Sequence, residues 1–217
     1  MTLLDFARGP AMQWSLTIFT IGVCWRLVGI FFLRRKRDLS QPRSRATLQA
    51  GARSIVMRSV PPHELEKNIV FQHVTGYLWH IGFFVTILFF GPHIPFFKSI
   101  LGFGWPHVSN VIVMIAAAVT LSVLVMLLVR RIIHPVLQQI STADDYISVI
   151  ITILPLITGF MSYANLGFIK ETNLALHIMS FQLVLLWFPF GKLMHLFLVF
   201  PSRYRVGAKF GRRGVKA

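Results

Sequence analysis

Residues 176–197 read LHIMSFQLVLLWFPFGKLMHLF, an apolar segment with a histidine near each end. The segment is long enough to cross a bilayer, and His177 and His195 stand eighteen residues apart in it. On a continuous helix, eighteen residues make about five whole turns and rise about 27 Å. Both imidazoles would then point the same way, one near each membrane face. Because imidazole is costly in hydrocarbon, the pattern predicts a pair retained for function.

The composition of the 217-residue chain is that of an integral membrane protein. Hydrophobic residues make up 55% and charged residues only 13%, whereas soluble domains carry about 25% charged residues. The longest polar stretch, residues 34–67, is too short to form a separate globular domain, so we expect one membrane-embedded domain over 1–217. The N-terminus lacks the features of a cleaved secretory signal, and we expect the first apolar segment to stay.

Five apolar segments predict an all-α bundle of five transmembrane helices, because each has roughly the length of a spanning helix. They cover about residues 13–33, 68–90, 108–129, 146–163 and 173–200. The net charge of +15 comes from lysines and arginines gathered after the first, third and fifth segments. This placement is typical of topology signals rather than of nucleic-acid binding. It predicts an outer N-terminus and a cytoplasmic C-terminus. The membrane that we expect is the inner membrane of a prokaryote.

Metal ligation is one function for which a membrane protein retains histidines in hydrocarbon. If the metal is iron, the chain offers few kinds of ligand other than histidine. Cys24 is the only cysteine, which excludes an intramolecular disulfide and a cysteine-ligated iron–sulfur cluster within the chain. We therefore hypothesise that histidines ligate two b-type haems. In the predicted topology the second segment runs outward and the fifth inward, so His80 meets His195 and His93 meets His177. An interhelical hydrogen bond is the alternative for each fifth-segment histidine.

The second segment offers three candidate ligands. Gly76 and Gly82 flank His80, where small residues let a flat macrocycle approach but also permit close helix packing. His93 comes thirteen residues after His80, roughly 140° out of phase on a straight helix, but the preceding Gly-Pro pair alters the path of the chain. His73 is the alternative ligand for the inner site, or a hydrogen-bond donor to a haem propionate.

Two cations inside the apolar segments are candidate partners for haem propionates. Lys192 lies three residues before His195, and Arg26 lies in the first segment. Snorkelling to the membrane surface is the alternative for both. The remaining histidines lie beside prolines in loops, where a solvated side chain is the ordinary interpretation. They are His63, His107 and His134.

The segments LHIMSFQLVLLWFPFGKLMH and YLWHIGFFVTILFFGPH resemble the di-haem cytochrome b family typified by the gamma subunit of respiratory nitrate reductase. That family shape includes cytochrome b subunits of sulfate-reducer and heterodisulfide-reductase-like membrane complexes. GVCWRLVG, RRIIHPVLQQISTADDY and LITGFMSY are similar to further parts, so the likeness covers nearly the whole chain. The two fifth-segment histidines and the FPFGKLMH ending are its most specific part. The chain departs from the nitrate reductase subunit at GPH, which carries a small insertion.

The resemblance implies that His80 and His195 ligate an inner haem b, and that His93 and His177 ligate an outer one. It also implies an electron-transfer anchor subunit that contains no catalytic residue for the terminal substrate. Such a subunit exchanges electrons with a membrane quinone and with an iron–sulfur partner subunit on the cytoplasmic side. A haem-free anchor, a proton-relaying transporter and a mono-haem anchor are the alternatives.

The quinone site and the partner surface are predicted from the position and charge of particular residues. We expect the quinone near the outer haem, at His93, Lys98 and His107, because the outer loop contains few other groups that handle protons. The basic stretch 34–67 and the basic C-terminal tail suit an acidic partner or anionic lipid. A solvated, lipid-facing loop is the alternative for both.

Overall fold

A computed structural model describes residues 1–33, 41–44, 47–60 and 66–215, in which every regular element is a helix. The helices are α1 (Leu3–Arg8), α2 (Pro10–Phe32), α3 (Thr47–Met57), α4 (Glu66–Phe89), α5 (Ile94–Leu101), α6 (Asn110–Ile133), α7 (Pro135–Ile140), α8 (Ala143–Ala164), α9 (Lys170–Trp187) and α10 (His195–Arg212). Single turns of 3-10 helix cover Gly91–His93 and Lys192–Met194. The predicted all-α class is confirmed for these residues.

Between three and five of the helical stretches are long and apolar enough to cross a membrane. Three single helical stretches are long and apolar enough by themselves, namely Leu3–Phe32, Asn110–Ile133 and Ala143–Ala164. Two more pass only as pairs broken by a bend, namely Ile69–Phe89 with Gly91–Leu101 and Lys170–Trp187 with Lys192–Arg212. Only 11% of the first stretch's most apolar window is buried inside the protein, and 28% for the other two. Such exposed apolar surface is that of a multi-pass membrane protein.

The chain divides into two compact units. The first comprises Met1–Ser15 and Phe71–Val184, and the second comprises the described residues of Leu16–Val70 and Leu185–Ala217. Long helices pass from one unit into the other, since α2, α4 and α9 each cross a boundary. The expectation of a single domain over residues 1–217 stays a prediction.

The core of the first unit lies where α6 packs against α8. Ala117 and Leu124 of α6 meet Ile153 and Leu156 of α8, and all four side chains are buried. The flanking helix α4 approaches α6 closely at Gly82, where an added Cβ would overlap the hydroxyl of Thr120. Gly82 therefore serves helix packing, the second of the two interpretations that the sequence left open.

Polar groups fix the start of α8. Thr142 and Asp145 form a reciprocal capping box in which each side chain bonds to the other residue's backbone. The guanidinium of Arg131, at the end of α6, lies 2.9 Å from the Asp145 carboxylate. Asn165 closes α8 in the left-handed conformation with φ of 53°, which asparagine tolerates better than most residues. The long apolar helix thus begins and ends at defined residues.

In the second unit, α3 packs against α10 with almost no side chain between the backbones. A Cβ on Gly207 of α10 would stand 2.6 Å from the carbonyl oxygen of Ala50. A Cβ on Gly51 of α3 would stand 2.6 Å from the ring of Tyr204. The Arg203 guanidinium donates to the Ser59 hydroxyl at 2.7 Å. Contacts this close are open only to glycine.

The fifth predicted segment is broken, and a continuous helix through His177 and His195 is wrong. Helix α9 ends at Trp187, and α10 begins at His195 itself. Pro189 has no amide hydrogen with which to continue the helix. The next two amides, of Phe190 and Gly191, turn back to the Trp187 carbonyl at 3.0 and 2.9 Å. The two histidines consequently lie on separate helices and share no five-turn register.

Pro189 is held in this break by packing. It is among the most fully buried side chains of the described residues. A Cβ on Gly22 of α2 would stand 2.6 Å from its ring carbon Cγ. Phe188, next to it, contacts Phe19 of α2 edge to face, with ring centroids 5.3 Å apart. Helix α2 therefore packs on the broken stretch.

The second predicted segment bends where its Gly-Pro pair predicts. Helix α4 ends at Phe89, the 3-10 turn Gly91–His93 follows, and the axis changes direction by 61° into α5. The predicted change of path is confirmed. It removes the phase objection to His93, because that residue no longer lies on the straight continuation of α4.

Candidate functional site

A cavity of about 790 Å³ opens within the first compact unit. Helices α4, α5, α6, α8 and α9 contribute walls, and Arg8 and Met12 line it from the N-terminal helices. Cofactor pockets commonly have volumes of about 300–1,000 Å³ and mostly apolar walls. His93 and His177 both line this cavity. Two predicted ligands from distant parts of the chain are therefore brought to one chamber.

The imidazoles of His93 and His177 face each other across a gap. Their ring planes are only 14° from parallel, and their centroids are 5.9 Å apart. Two imidazoles that hold one metal ion from opposite sides, with bonds of about 2.0 Å as for zinc, have centroids roughly 6 Å apart. The ring-centroid spacing suits a metal atom held between the two imidazoles.

The Nδ1 atom of His93 is fixed by backbone. It donates to the carbonyl oxygens of Thr86 and Ile87, at 3.2 and 3.1 Å. A carbonyl oxygen only accepts, so Nδ1 carries the hydrogen and Nε2 keeps a free lone pair. A hydrogen bond of this kind at the second ring nitrogen is what orients histidine ligands in metal sites. His93 is thus held in the tautomer that ligates through Nε2.

His177 is positioned by hydroxyls and by a glycine. Its Nδ1 lies 3.4 Å from the Thr158 hydroxyl, which in turn lies 2.8 Å from the Ser180 hydroxyl. The ring also rests on α8 at Gly159, where a Cβ would stand 3.2 Å from the imidazole Cε1. Gly159 leaves the room that the imidazole occupies.

The predicted inner ligands show the same arrangement at Nδ1. His80, on α4, donates from Nδ1 to the Gly76 carbonyl at 2.6 Å. His195, the first residue of α10, donates from Nδ1 to the Lys192 carbonyl at 2.8 Å. His80 belongs to the first compact unit and His195 to the second, so each is described by itself. Their pairing stays a prediction.

Three further residues, His73, Arg26 and Lys192, were predicted to lie around the inner haem. His73 lies on α4, seven residues before His80, with its ring edge to face against Tyr77 at 4.9 Å. Arg26 is exposed on α2, and Lys192 is exposed in the 3-10 turn before α10. Lys192 contributes its backbone carbonyl to His195. A propionate contact by either cation stays a prediction.

Only one residue of the predicted quinone site lines the cavity. That residue is His93, whereas Lys98 and His107 are not among the lining residues. Lys98 is exposed on α5, and His107 is exposed in the loop after α5. This loop folds back on α4, since the Trp105 indole donates to the Leu88 carbonyl at 2.6 Å.

The loop histidines have no described contact with the cavity. His134 is exposed between α6 and α7, as the loop interpretation predicts. His63 lies outside the described residues. Within the described ranges, no group of three or more metal-ligating side chains comes together. The paired imidazoles of His93 and His177 are therefore the candidate cofactor ligands at the cavity.

Two cationic residues at the cavity were not predicted as part of the site. Arg8 and Lys170 line its wall, together with polar groups at the end of α8. Lys170 lies seven residues before His177, close to two helical turns. That spacing was readable from the sequence, since the lining residues of α9 recur at helical intervals. They are Lys170, Leu174, His177, Ile178 and Phe181.

Comparisons with known proteins give one relative and no family. No family model matches the chain, and no solved structure matches it. A curated protein of Nitratidesulfovibrio vulgaris, described simply as "Protein", is 28% identical over 215 residues. The match covers 96% of this chain and 94% of that protein. This chain is therefore similar to that protein from end to end, and its function has to be argued from the site.

Proposed function

We propose that the protein is the di-haem b anchor subunit of a respiratory redox complex in the bacterial inner membrane. It moves electrons between the membrane quinone pool and an iron–sulfur subunit on the cytoplasmic side. The observation that carries the proposal is the His93–His177 pair, near-parallel and 5.9 Å apart in a large apolar cavity. The resemblance of both histidine segments to the nitrate reductase gamma family supports the same assignment.

The residues present fit a haem at the outer site. His93 keeps Nε2 for a ligand because its Nδ1 donates to carbonyls, and Gly159 leaves space beside His177. A haem held by two imidazoles supplies one-electron redox chemistry. The protein contributes the orientation of the ligands and a surround of low dielectric, which together set the reduction potential.

The inner haem is proposed because its two candidate ligands make the same kind of hydrogen bond. His80 and His195 each donate from Nδ1 to a carbonyl three or four residues earlier. Both therefore carry the ring hydrogen on Nδ1, the same tautomer as His93. His73 remains the alternative for the second-segment ligand, with Lys192 and Arg26 as proposed propionate partners.

The contact between α3 and α10 supports the proposed topology. The two helices touch, so they lie on one side of the membrane, and the chain between them crosses an even number of times. Helices α6 and α8 supply two crossings, and the two bent stretches add two more or none. The contact therefore favours three or five spans over four. Five spans also place Arg130 and Arg131 beside the other basic clusters, as the positive-inside rule favours.

The surfaces for quinone and partner are proposed from charge and position. Residues 195–215 of the tail and 41–60 of the first loop contain no acidic residue, which suits an acidic iron–sulfur subunit or anionic lipid. The quinone site is proposed at His93, Lys98 and His107 on the outer side. Quinol-dependent haem reduction that survives replacement of each of the three would remove it.

A reduced-minus-oxidised spectrum with a haem-to-protein ratio tests the proposal. We expect low-spin b bands and two haems per chain, with His93→Ala and His177→Ala each losing one. His134→Ala, an exposed loop variant, is the control and keeps both. Spectra without b bands would overturn the proposal and favour a haem-free anchor or proton-relaying transporter. A ratio near one that His93→Ala leaves unchanged would favour a mono-haem anchor.

A further inference from the structure

We infer that Arg8 and Lys170 form a cationic clamp for the carboxylates of the ligand in the His93–His177 cavity. The inference rests on the proposed function, in which that ligand is haem b and the carboxylates are its propionates. It assigns to the outer site two residues that lie far apart in the sequence and in no histidine motif.

The charge of the cavity wall points to an anionic group. In the part of the chain that the structure describes, Arg8 and Lys170 are the only lysine or arginine residues that line the cavity, and no aspartate or glutamate lines it. Both cations are solvent-exposed, whereas most of the remaining wall is apolar. A ligand with an apolar body and a negatively charged edge matches this distribution.

Lys170 and His177 are placed to act on one ligand. They lie seven residues apart on α9, which is nearly two turns and about 10 Å along the axis, on almost the same face. Leu174 lies between them on that face and also lines the cavity. A ligand bound at the imidazole thus extends past an apolar side chain toward an ammonium group.

Arg8 is brought to the cavity by a buried hydrogen bond. The Gln182 side chain of α9 donates from Nε2 to the carbonyl oxygen of Ala7 at 2.6 Å. Ala7 is completely buried and Gln182 is 5% exposed. The next residue after this anchor is Arg8, the last residue of α1. Helix α1 begins with a capping box between Thr2 and Asp5. The guanidinium therefore starts from a fixed backbone position.

Neutralising the cations should weaken and retune only the outer haem. The full-length protein is purified with Arg8→Gln, Lys170→Gln, or both, and Lys209→Gln on α10 is the control cation. Haem release to an excess of a haem-scavenging protein is followed, and each haem is titrated potentiometrically. We expect release of the haem that His93→Ala removes to quicken by about tenfold in the double variant, since a charge-assisted hydrogen bond is worth about 1.5 kcal/mol or more.

The midpoint potential of the outer haem is a second measurement, and the direction of its expected change is defined. Removing a positive charge near the iron favours the oxidised haem, so the outer midpoint potential should fall in both single variants. The inner haem and the Lys209→Gln protein should keep their potentials. Lys170→Arg keeps the charge and should restore the outer potential.

Haem dimethyl ester separates propionate binding from the binding of another carboxylate, such as a fatty acid. The wild-type apoprotein should hold haem more firmly than the ester at the outer site, and the double variant should hold both alike. An equal preference in the two proteins, with unchanged potentials, would overturn the clamp while leaving the proposed function intact. A wild-type protein that binds no haem would instead overturn the proposed function and the clamp together.

Discussion

A methyl group on Gly159 would stand 3.2 Å from Cε1 and 3.4 Å from Nδ1 of His177. The imidazole occupies the space that any larger residue at this position of α8 would fill. Replacing Gly159 with valine should therefore push His177 off its position relative to His93. Because two-sided ligation requires both rings, we expect the variant to lose one of two haems, as measured by the haem-to-protein ratio.

Gly29→Val is the matched control for Gly159→Val. Gly29 lies in the long helix α2, where an added Cβ meets nothing within 4 Å. The control carries the same helix-propensity change without the contact to histidine. Equal haem content in the two variants would argue against a positioning role for Gly159.

The Thr158 hydroxyl should tune the outer haem rather than hold it. It lies 3.4 Å from Nδ1 of His177, and accepting from that nitrogen makes the imidazole a stronger donor to iron. Thr158→Val removes the acceptor, so the oxidised haem loses stabilisation and its midpoint potential should rise. The shift should correspond to about 0.5–1.5 kcal/mol, the net value of one hydrogen bond. Potentiometric titration measures it, and Thr158→Ser should restore the wild-type value.

Two other results would count against this role for Thr158. A loss of haem in Thr158→Val would indicate a structural rather than a tuning role. An unchanged potential would indicate that the hydroxyl interacts with Ser180 and the α8 backbone alone, to which it also lies close.

The sequence predicted the helical segments well because their signals are local. Apolar length and the placement of charges decide where a helix can span, and neither needs a distant contact. Pro189 alone does not decide whether the fifth segment kinks or breaks, because a single proline is often accommodated within a spanning helix. What holds Pro189 in a turn is packing against Gly22, a residue of another helix.

The candidate site was predictable in its ligands and not in its walls. Histidines in an apolar segment are conspicuous, and the antiparallel run of the segments paired His93 with His177. Arg8 and Thr158 carry no such signal, because an arginine near a terminus and a threonine in a helix are ordinary. Only the fold, through the bond between Gln182 and Ala7, places Arg8 at the cavity.

Gly207 should be essential for the contact between α3 and α10. A Cβ there would stand 2.6 Å from the Ala50 carbonyl oxygen, and backbone cannot yield as a side chain can. Gly207→Val should separate the helices and destabilise the protein by about 1–3 kcal/mol, the usual cost of overpacking. Thermal unfolding in detergent measures the loss. Ala52→Val adds the same kind of bulk on the exposed side of α3 and should leave the unfolding temperature nearly unchanged.

The packing of α3 on α10 makes the number of membrane crossings testable with single cysteines. In a Cys24→Ser background, cysteines are introduced at four exposed positions and labelled with a membrane-impermeant thiol reagent. The variants are Gln49→Cys on α3, Lys209→Cys on α10, Ser99→Cys on α5 and Gln139→Cys on α7. Gln49→Cys and Lys209→Cys should always label from the same side, because the helices that carry them touch.

The two remaining positions distinguish five spans from three. With five spans, α4 crosses before α5, so Ser99→Cys labels from the side opposite to Gln49→Cys, and Gln139→Cys labels from the same side. With three spans both assignments reverse, since α6 is then the first crossing after α3. We expect the five-span pattern, in which the basic ends of α3, α6 and α10 share the cytoplasmic side. Labelling of Gln49→Cys and Lys209→Cys from opposite sides would contradict the helix contact itself, and with it every count derived from that contact.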